Sequence, residues 1–281
     1  MSPAGPVNAA LPPVLFLAHG SPLAALADDA WSHALGAVGA ILLSAFPTLR
    51  AVIMVSAHWE SRHGIAIGSS AQPETIHDFG GFPPALFAIT YPAPGAPAVA
   101  RDILASLQAQ GLSAQLDPSR GLDHGCWVPL RALFPTAAVP VVPVSLPPRL
   151  DAASLTSLGA ALQRLRASGC LIVGSGAIVH NLRAVAPQME AHHPDDWARD
   201  FDLAVRAAVA ANHPELLLDG SLPGAALAVP TREHLAPLIV AMAAHGPEEG
   251  LIDLYSGFHH KNLSMRSLAF AADGSALSGA A

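Results

Sequence analysis

The sequence predicts an α/β fold, with a single domain around a central, mostly parallel or mixed sheet that is flanked by helices. Short apolar runs that end at turn residues alternate with longer Ala- and Leu-rich segments along the 281 residues. This alternation is typical of the strands and helices of α/β proteins. The chain contains no internal repeat and no low-complexity linker. We therefore expect one domain over residues 1–281, of which the Pro- and Ala-rich residues 1–13 are irregular.

Seven apolar or β-branched runs are predicted as strands, at residues 14–18, 51–57, 64–68, 139–146, 170–174, 251–255 and 264–270. Three of these runs lead into a histidine, namely His19, His58 and His180. Open α/β sheets bind ligands at the carboxyl ends of their strands. Pro140 and Pro143 place the fourth run at an edge or in a bulge of the sheet, because proline cannot donate to the strand ladder.

Helices are predicted at residues 23–46, 96–110, 151–167, 197–212 and 232–245, with a short helix after the turn-rich segment 118–127. Asp28 and Asp29 are candidate N-terminal residues of the first helix, and Asp151 is the N-cap of the third. Thr231 is a good N-cap for the last helix, which places Glu233 and His234 in its first turn. Pro237 then falls early enough to be tolerated.

The segment 72–95 differs from the rest of the chain. It carries five prolines and two adjacent glycines, together with several aromatic residues and a histidine. Long loops of this kind inside a domain are usually lids or binding loops. The alternative is a surface excursion that is held by a few aromatic anchors.

Composition excludes several functional classes. The net charge of −7, from 14 Lys and Arg against 21 Asp and Glu, argues against a nucleic-acid or anionic membrane surface. Lys261 is the only lysine, so a phosphate-binding GxxxxGK[ST] loop is absent. Cys126 and Cys170 are too few for a Cys-rich zinc site and do not indicate a disulfide scaffold. No signal peptide or membrane-spanning run is evident, which predicts a cytoplasmic protein.

Five of the 14 histidines stand out by their context: His19, His58, His124, His180 and His234. A lone histidine at any of these places would more often be structural. Several at strand ends and turns together indicate a metal site, because neutral imidazole is the commonest metal ligand and suits Zn(II) and Fe(II).

Competing motifs are weaker. The segment GSGAIV at 174–179 matches only the start of a dinucleotide-binding GxGxxG, because Val179 stands where the third glycine belongs. No GxSxG nucleophile elbow is present. Cys126 beside His124 is an alternative thiol nucleophile, although small cysteines are more often simply buried.

A series of motifs carries a resemblance to a known family. These are AHGSP (18–22), SAHWE (56–60), HDFGGFP (77–83), YPAPG (91–95), GLDHGCWVPLRALFP (121–135), GSGAIVHNLR (174–183) and EHLAPL (233–238). They resemble the class III, LigB-like extradiol ring-cleavage dioxygenases. More closely, they resemble the DOPA 4,5-dioxygenase-type branch, which includes plant betalain-forming enzymes and many bacterial proteins. The resemblance runs in order from about residue 14 to residue 270.

This resemblance implies a catalytic domain that cleaves a catechol, DOPA-like or other, with O2 to a muconic semialdehyde-type product. It assigns the metal ligands as His19, His58 and His234. Relatives that cleave protocatechuate use a carboxylate as the third ligand, which makes Glu233 the second choice. Neighbouring helix residues point about 100° apart, so only one of the two would face the metal.

The resemblance further implies that His180 is an acid/base and that His124 orients substrate or oxygen. Trp59, Phe79, Gly81 and Phe82 are candidate pocket residues, for which core packing is the alternative. Recognition of a substrate carboxylate would need a positive group, for which Arg120, Arg183 and other basic residues are open choices.

Fe(II) is the cofactor expected for catalysis, and Zn(II) is expected in purified protein. The expected partners are a small catechol and O2, with neither nucleic acid nor membrane; the sequence carries no signal of oligomeric state. A zinc-binding hydrolase and a non-catalytic metal-binding or signalling relative are the alternative functions.

Overall fold

Eight strands form the central sheet of the computed structural model, which describes residues 11–186, 193–272 and 277. The strands in chain order are β1 Val14–Ala18, β2 Ala51–Glu60, β3 Ile65–Gly68, β4 Ala114–Asp117, β5 Val141–Leu146, β6 Cys170–Gly176, β7 Glu249–Tyr255, β8 Phe258–His259, β9 Leu263–Ser264 and β10 Ser267–Ala272. The helices are α1 Ala30–Ala45, α2 Pro84–Phe87, α3 Pro97–Ala109, α4 His124–Leu133, α5 Ala152–Gln163, α6 Asp196–Ala210, α7 Ala225–Ala228 and α8 Ala236–Ala244. Short 3₁₀ helices lie at Pro22–Leu26, Arg164–Ser168, Leu182–Ala184 and Pro214–Leu217.

The strand order is β4-β3-β5-β2-β6-β1-β10-β7, while β8 and β9 form a separate hairpin. The pairs β1/β6, β2/β6, β2/β5 and β3/β4 are parallel, and the pairs β1/β10, β10/β7 and β3/β5 are antiparallel. The predicted central mixed sheet is therefore confirmed. Because β1, β2 and β6 run in parallel as neighbours, their carboxyl ends meet at one edge.

Helices cover both faces of the sheet. Along β1, Val14 and Phe16 belong to the core cluster that includes residues of α3, α5, α6 and α8, while Leu15 and Leu17 belong to the cluster with α1 and α4. This two-sided burial explains why the strand reads as a continuous apolar run rather than an alternating one. No helix in the described ranges is long and apolar enough to cross a membrane.

The run at 139–146 is not the edge strand that its prolines allowed, although its ladder with β2 is irregular, with a register shift between Val55 and Glu60. β5 lies inside the sheet and pairs in parallel with β2. Its other neighbour, β3, pairs with it only at Ile67 and Val144. The ring of Pro143 packs there against Gly68, where an added Cβ would lie 2.6 Å from the Pro143 Cγ. A short ladder on one side therefore makes room for proline at an interior position.

The first predicted helix divides in two, because the chain forms the 3₁₀ helix Pro22–Leu26 before α1 begins. Asp29 is the N-cap of α1, and its Oδ1 accepts from the backbone N of Ser32 at 2.8 Å. Asp151 caps α5 as predicted, through a 2.8 Å hydrogen bond from the backbone N of Ser154. Of the predicted irregular N-terminus, residues 1–10 lie outside the described residues, and residues 11–13 have no helix or strand.

The predicted start of the last helix is also wrong. α8 begins at Ala236, and Glu233 and His234 lie in the turn that precedes it. A helix from residue 232 would need the missing N–H of Pro237 to bond the carbonyl of Glu233, whereas the second helical position needs no such bond. Thr231 is therefore not the N-cap, and its hydroxyl instead donates to Glu233 Oε1 at 2.7 Å.

Candidate metal centre

The five histidines singled out in the sequence lie together at the shared carboxyl edge of β1, β2 and β6. Their ring centroids are 4.9 Å apart for His19 and His58, 4.9 Å for His58 and His234, and 5.3 Å for His19 and His234. The ring of His124 lies 4.0 Å from that of His58, and the ring of His180 lies 3.4 Å from that of His234.

The first two histidines lie at the carboxyl ends of the two strands that flank β6, His19 just after β1 and His58 near the end of β2. His19 follows β1, and its backbone N donates to the carbonyl of Gly176 in β6 at 3.2 Å. Gly20 then adopts a φ of +62°, and an added Cβ would lie 2.8 Å from the Met265 Sδ, so a larger residue would be both strained and crowded. His58 lies within β2, which continues past the predicted end at residue 57.

The other histidines come from turns and a helix start. The turn with His234 passes so closely over β6 that a Cβ at Gly176 would lie 2.0 Å from the His234 carbonyl oxygen. His180 follows β6, and its backbone N donates to the carbonyl of Ala228 at 2.9 Å. His124 is the first residue of α4 rather than part of a loop turn, with Asp123 as the N-cap.

Three Nε2 atoms converge. The Nε2 of His58 lies 3.2 Å from the Nε2 of His19 and 3.3 Å from the Nε2 of His234. For His19, the partner of the other ring nitrogen fixes the tautomer. The Ser175 hydroxyl donates to the Gly125 carbonyl at 2.5 Å and lies 3.0 Å from His19 Nδ1. The hydroxyl must therefore accept from Nδ1–H, which leaves a lone pair on the Nε2 of His19.

Glu233 fixes the hydrogen-bonding role of His234 Nδ1 in the same way. Its Oε1 lies 2.9 Å from His234 Nδ1. Burial raises the pKa of Glu233, but hydrogen bonds from His234 and Thr231 outweigh it and lower the pKa to about 2. The carboxylate is thus ionised and only accepts, so His234 donates from Nδ1, and in the neutral form that metal binding requires its Nε2 is bare.

The donor set fits a metal ion. Burial, together with the neighbouring histidines, holds the pKa of His19 and of His58 well below the usual range, so both rings are neutral at physiological pH, as ligation requires. Two nitrogens bonded to one zinc ion at about 2.1 Å and a near-tetrahedral angle lie roughly 3.4 Å apart. The observed separations of 3.2 and 3.3 Å are close to that distance. Ligand atoms of His19, His58 and His124 also lie within 4.8 Å of one another.

Asp78 and Ser175 are site residues that the sequence reasoning missed. Asp78 Oδ1 lies 2.9 Å from His124 Nδ1, and its Oδ2 lies 3.7 Å from His58 Nδ1. Burial raises the pKa of Asp78, but hydrogen bonds from His124 hold it below its usual range. An acidic residue two positions before the paired glycines was a signal for Asp78. Nothing local pointed to Ser175.

His180 lies beside the three converging nitrogens. Its ring stacks on His234 with an interplanar angle of 7°. Burial and the neighbouring His234 lower the pKa of His180 to about 3. The ring is therefore neutral at physiological pH and able to accept a proton.

The predicted pocket residues differ in their placement. The ring of Phe79 lies 5.7 Å from that of His124 and 5.4 Å from that of Phe82. Gly81 has a φ of +77°, and an added Cβ would have no neighbour within 4 Å. Trp59 is 9% exposed and contacts the Arg120 guanidinium, 4.7 Å from its ring.

The structure disfavours Cys126 as a nucleophile and Arg120 as the residue that binds a substrate carboxylate. Burial raises the pKa of the Cys126 thiol well above its usual range, which disfavours a thiolate nucleophile. Arg120 is bound by Asp123, with 2.5 Å between Nη2 and Oδ2.

Comparison with known proteins relates the chain to ring-opening dioxygenases. Residues 13–264 match the sequence profile of the family described as the catalytic LigB subunit of aromatic ring-opening dioxygenase. A 4,5-DOPA dioxygenase extradiol of Escherichia coli K12 is 36% identical over 263 residues, which cover 91% of this chain and 93% of that protein. A protein of the same name from Portulaca grandiflora is 35% identical over 264 residues, covering 91% and 94%.

A solved structure shares the fold. The crystal structure of an uncharacterized protein from Escherichia coli K12 matches with a TM-score of 0.74 and 30% identity, over 92% of this chain and 98% of the other.

Proposed function

The chain belongs to the LigB family of aromatic ring-opening dioxygenases, in the branch of the 4,5-DOPA extradiol dioxygenases, and on this premise we propose that it cleaves a catechol with O2 at a metal held by His19, His58 and His234. The observation that carries the proposal is the approach of the three Nε2 atoms, at 3.2 and 3.3 Å. Glu233 is engaged through its Oε1 by His234 and Thr231, which favours His234 as the ligand.

Fe(II) is the catalytic ion in this proposal, and purified protein carries Zn(II) because zinc binds such nitrogen ligands more tightly. When bound, Fe(II) would make the catechol hydroxyls more acidic and would exchange electrons with O2. Zinc lacks the second function because it has no redox chemistry.

The protein's own residues move protons and orient the ring. His180 is neutral and stacks on His234, so it takes a proton from the catechol and returns it as the ring opens. His124, whose ring lies 4.0 Å from that of His58, orients substrate or O2. Phe79 lies beside His124 and contacts Phe82, so the two rings give an apolar wall for an aromatic substrate, and Gly81 lies in the same loop.

The substrate is a small catechol, and the product is a muconic semialdehyde-type compound that contains both oxygen atoms of O2. Because Arg120 is bound by Asp123, the exposed Arg183, three residues after His180, is the better candidate for a substrate carboxylate. A single catalytic domain over residues 1–281 and a cytoplasmic location stay predictions.

The test is O2 uptake after anaerobic loading with Fe(II), measured with a panel of catechols that do and do not carry a carboxylate. We expect the iron form to consume one O2 per catechol and the zinc form to consume none. An iron form with full metal content that consumes no O2 with any catechol would overturn the proposal. Hydrolysis of esters or amides by the zinc form would instead favour the zinc hydrolase alternative.

A further inference from the structure

Asp78 joins the loop at 72–95 to the histidine centre. One carboxylate oxygen, Oδ1, accepts from the backbone N of His124 at 3.0 Å and lies 2.9 Å from His124 Nδ1. The other oxygen, Oδ2, lies 3.7 Å from His58 Nδ1, which is too far for a hydrogen bond but leaves the negative charge facing this ring.

The loop is fastened just before Asp78 and open just after it. Ile76 donates its backbone N–H to the Leu122 carbonyl at 2.7 Å, and its own carbonyl accepts from Trp127 Nε1 at 3.0 Å. Beyond Phe79, an added Cβ at Gly80 or Gly81 would have no neighbour within 4 Å. Asp78 is therefore held by the rigid base of the loop rather than by its tip.

An ionised carboxylate only accepts hydrogen bonds. His124 must therefore donate from Nδ1, and in the neutral ring its Nε2 then keeps the lone pair. A residue that merely capped α4 would need only the backbone contact to His124 N. The second contact, to the ring, sets the protonation pattern of a histidine at the site.

We propose that Asp78 is a positioning residue that holds His124 in the Nδ1–H tautomer, so that His124 meets the substrate as a proton acceptor. The same contact ties His124 to the loop whose Phe79 ring lies 5.7 Å away. The use of this tautomer in catalysis rests on the proposed function, but the tautomer itself does not.

The test is long-range ¹H–¹⁵N correlation spectroscopy of the histidine rings in the full-length, zinc-loaded protein, with His124 assigned from the spectrum of His124→Gln. We expect the Nδ1–H form in the wild type, its loss in Asp78→Ala, and its retention in Asp78→Asn, which keeps an acceptor oxygen. Glu74→Gln removes a charge from the same loop and should change nothing. An Nε2–H form in the wild type, or an unchanged tautomer in Asp78→Ala, would overturn the proposal.

Activity gives a second measurement. The iron form of Asp78→Ala should lose about 10-fold to 100-fold in kcat, with zinc content unchanged and Glu74→Gln at the wild-type rate. If Asp78→Ala does not fold, the wild-type spectrum still decides the proposal. If wild-type iron protein consumes no O2 with any catechol, the proposed function fails while the tautomer result still stands.

Discussion

The imidazole rings of His180 and His234 are parallel to within 7°, with their centroids 3.4 Å apart. The edge of His234 that bears Nε2 faces His58, at 3.3 Å between the two Nε2 atoms, so His180 packs on the flat face of a proposed ligand. The His180 ring therefore contacts the proposed metal site, but it does not supply one of the three converging Nε2 atoms. It is suited to proton transfer next to the metal.

Replacing His180 by alanine should therefore separate turnover from metal binding. We expect His180→Ala to keep its metal and to lose about 10²-fold to 10⁴-fold in kcat, as for removal of a general acid/base. Metal content by mass spectrometry and O2 uptake by the iron form check this. His213→Ala, which removes an exposed histidine, is the control. Loss of metal in His180→Ala would show that His180 is a ligand.

Glu233→Ala should weaken metal binding without abolishing it. The variant removes the acceptor that holds His234 Nδ1 at 2.9 Å, and such partners of ligating histidines are worth about 10-fold to 100-fold in affinity. Competition with a chelator measures the dissociation constant, and Glu248→Ala, at an exposed position, should match the wild type. A loss as complete as that of His234→Ala would mean that Glu233 itself binds the metal.

Gly176→Ala tests the close packing of the His234 turn on β6. The new Cβ would lie 2.0 Å from the His234 carbonyl oxygen, so the turn must move. We expect about 1–3 kcal/mol of destabilisation and weaker metal binding. Gly80→Ala, with no neighbour within 4 Å, should behave as wild type in thermal unfolding and metal titration. An equal effect of the two variants would contradict this packing.

Asp253 provides a pH-dependent test remote from the histidines. Its Oδ2 accepts from Arg206 at 2.7 Å and its Oδ1 from Arg266 at 2.5 Å. Burial raises the pKa of Asp253, but the two arginines outweigh it and lower the pKa overall. The stabilisation is therefore present above the unfolded-state pKa of about 3.9 and is lost as the pH falls through the folded-state value.

Asp253→Asn should accordingly lose about 1 kcal/mol at pH 7, a value kept small by partial exposure. The difference from wild type should shrink at acid pH. Urea unfolding at pH 7 and at pH 3 measures it, and a difference that grows as the pH falls would contradict the assigned ion pairs.

Most residues of the site could be predicted from the sequence, because the carboxyl ends of parallel strands meet at a common edge of the sheet. Once His19, His58 and His180 were each placed after a buried strand, their proximity followed from the α/β fold. The supporting contacts could not be predicted in this way. Ser175 reaches His19 across 156 positions, and Asp78 reaches His124 across 46, so no local spacing relates either pair.

The features of the fold that could be predicted are those set by residues close together in the sequence, such as helix N-caps. Asp151 caps its helix as predicted, and of the two candidate N-terminal residues Asp28 and Asp29 it is Asp29 that caps α1, because an N-cap acts within its own turn. Pro143 suggested an edge strand, but the interior position depends on how little β3 pairs with β5. The cap signal of Thr231 predicts an earlier start for α8 than Pro237 allows, and the helix begins at Ala236.

Metal stoichiometry across five single variants tests the central claim most directly. His19, His58, His124, His180 and His234 are each replaced by alanine, and Fe(II) and Zn(II) binding to the folded proteins is measured by anaerobic titration. We predict that the variants at His19, His58 and His234 lose the site while circular dichroism shows the fold intact, and that those at His124 and His180 bind one ion. Retention of the ion by His234→Ala with its loss in His124→Ala would contradict the assignment.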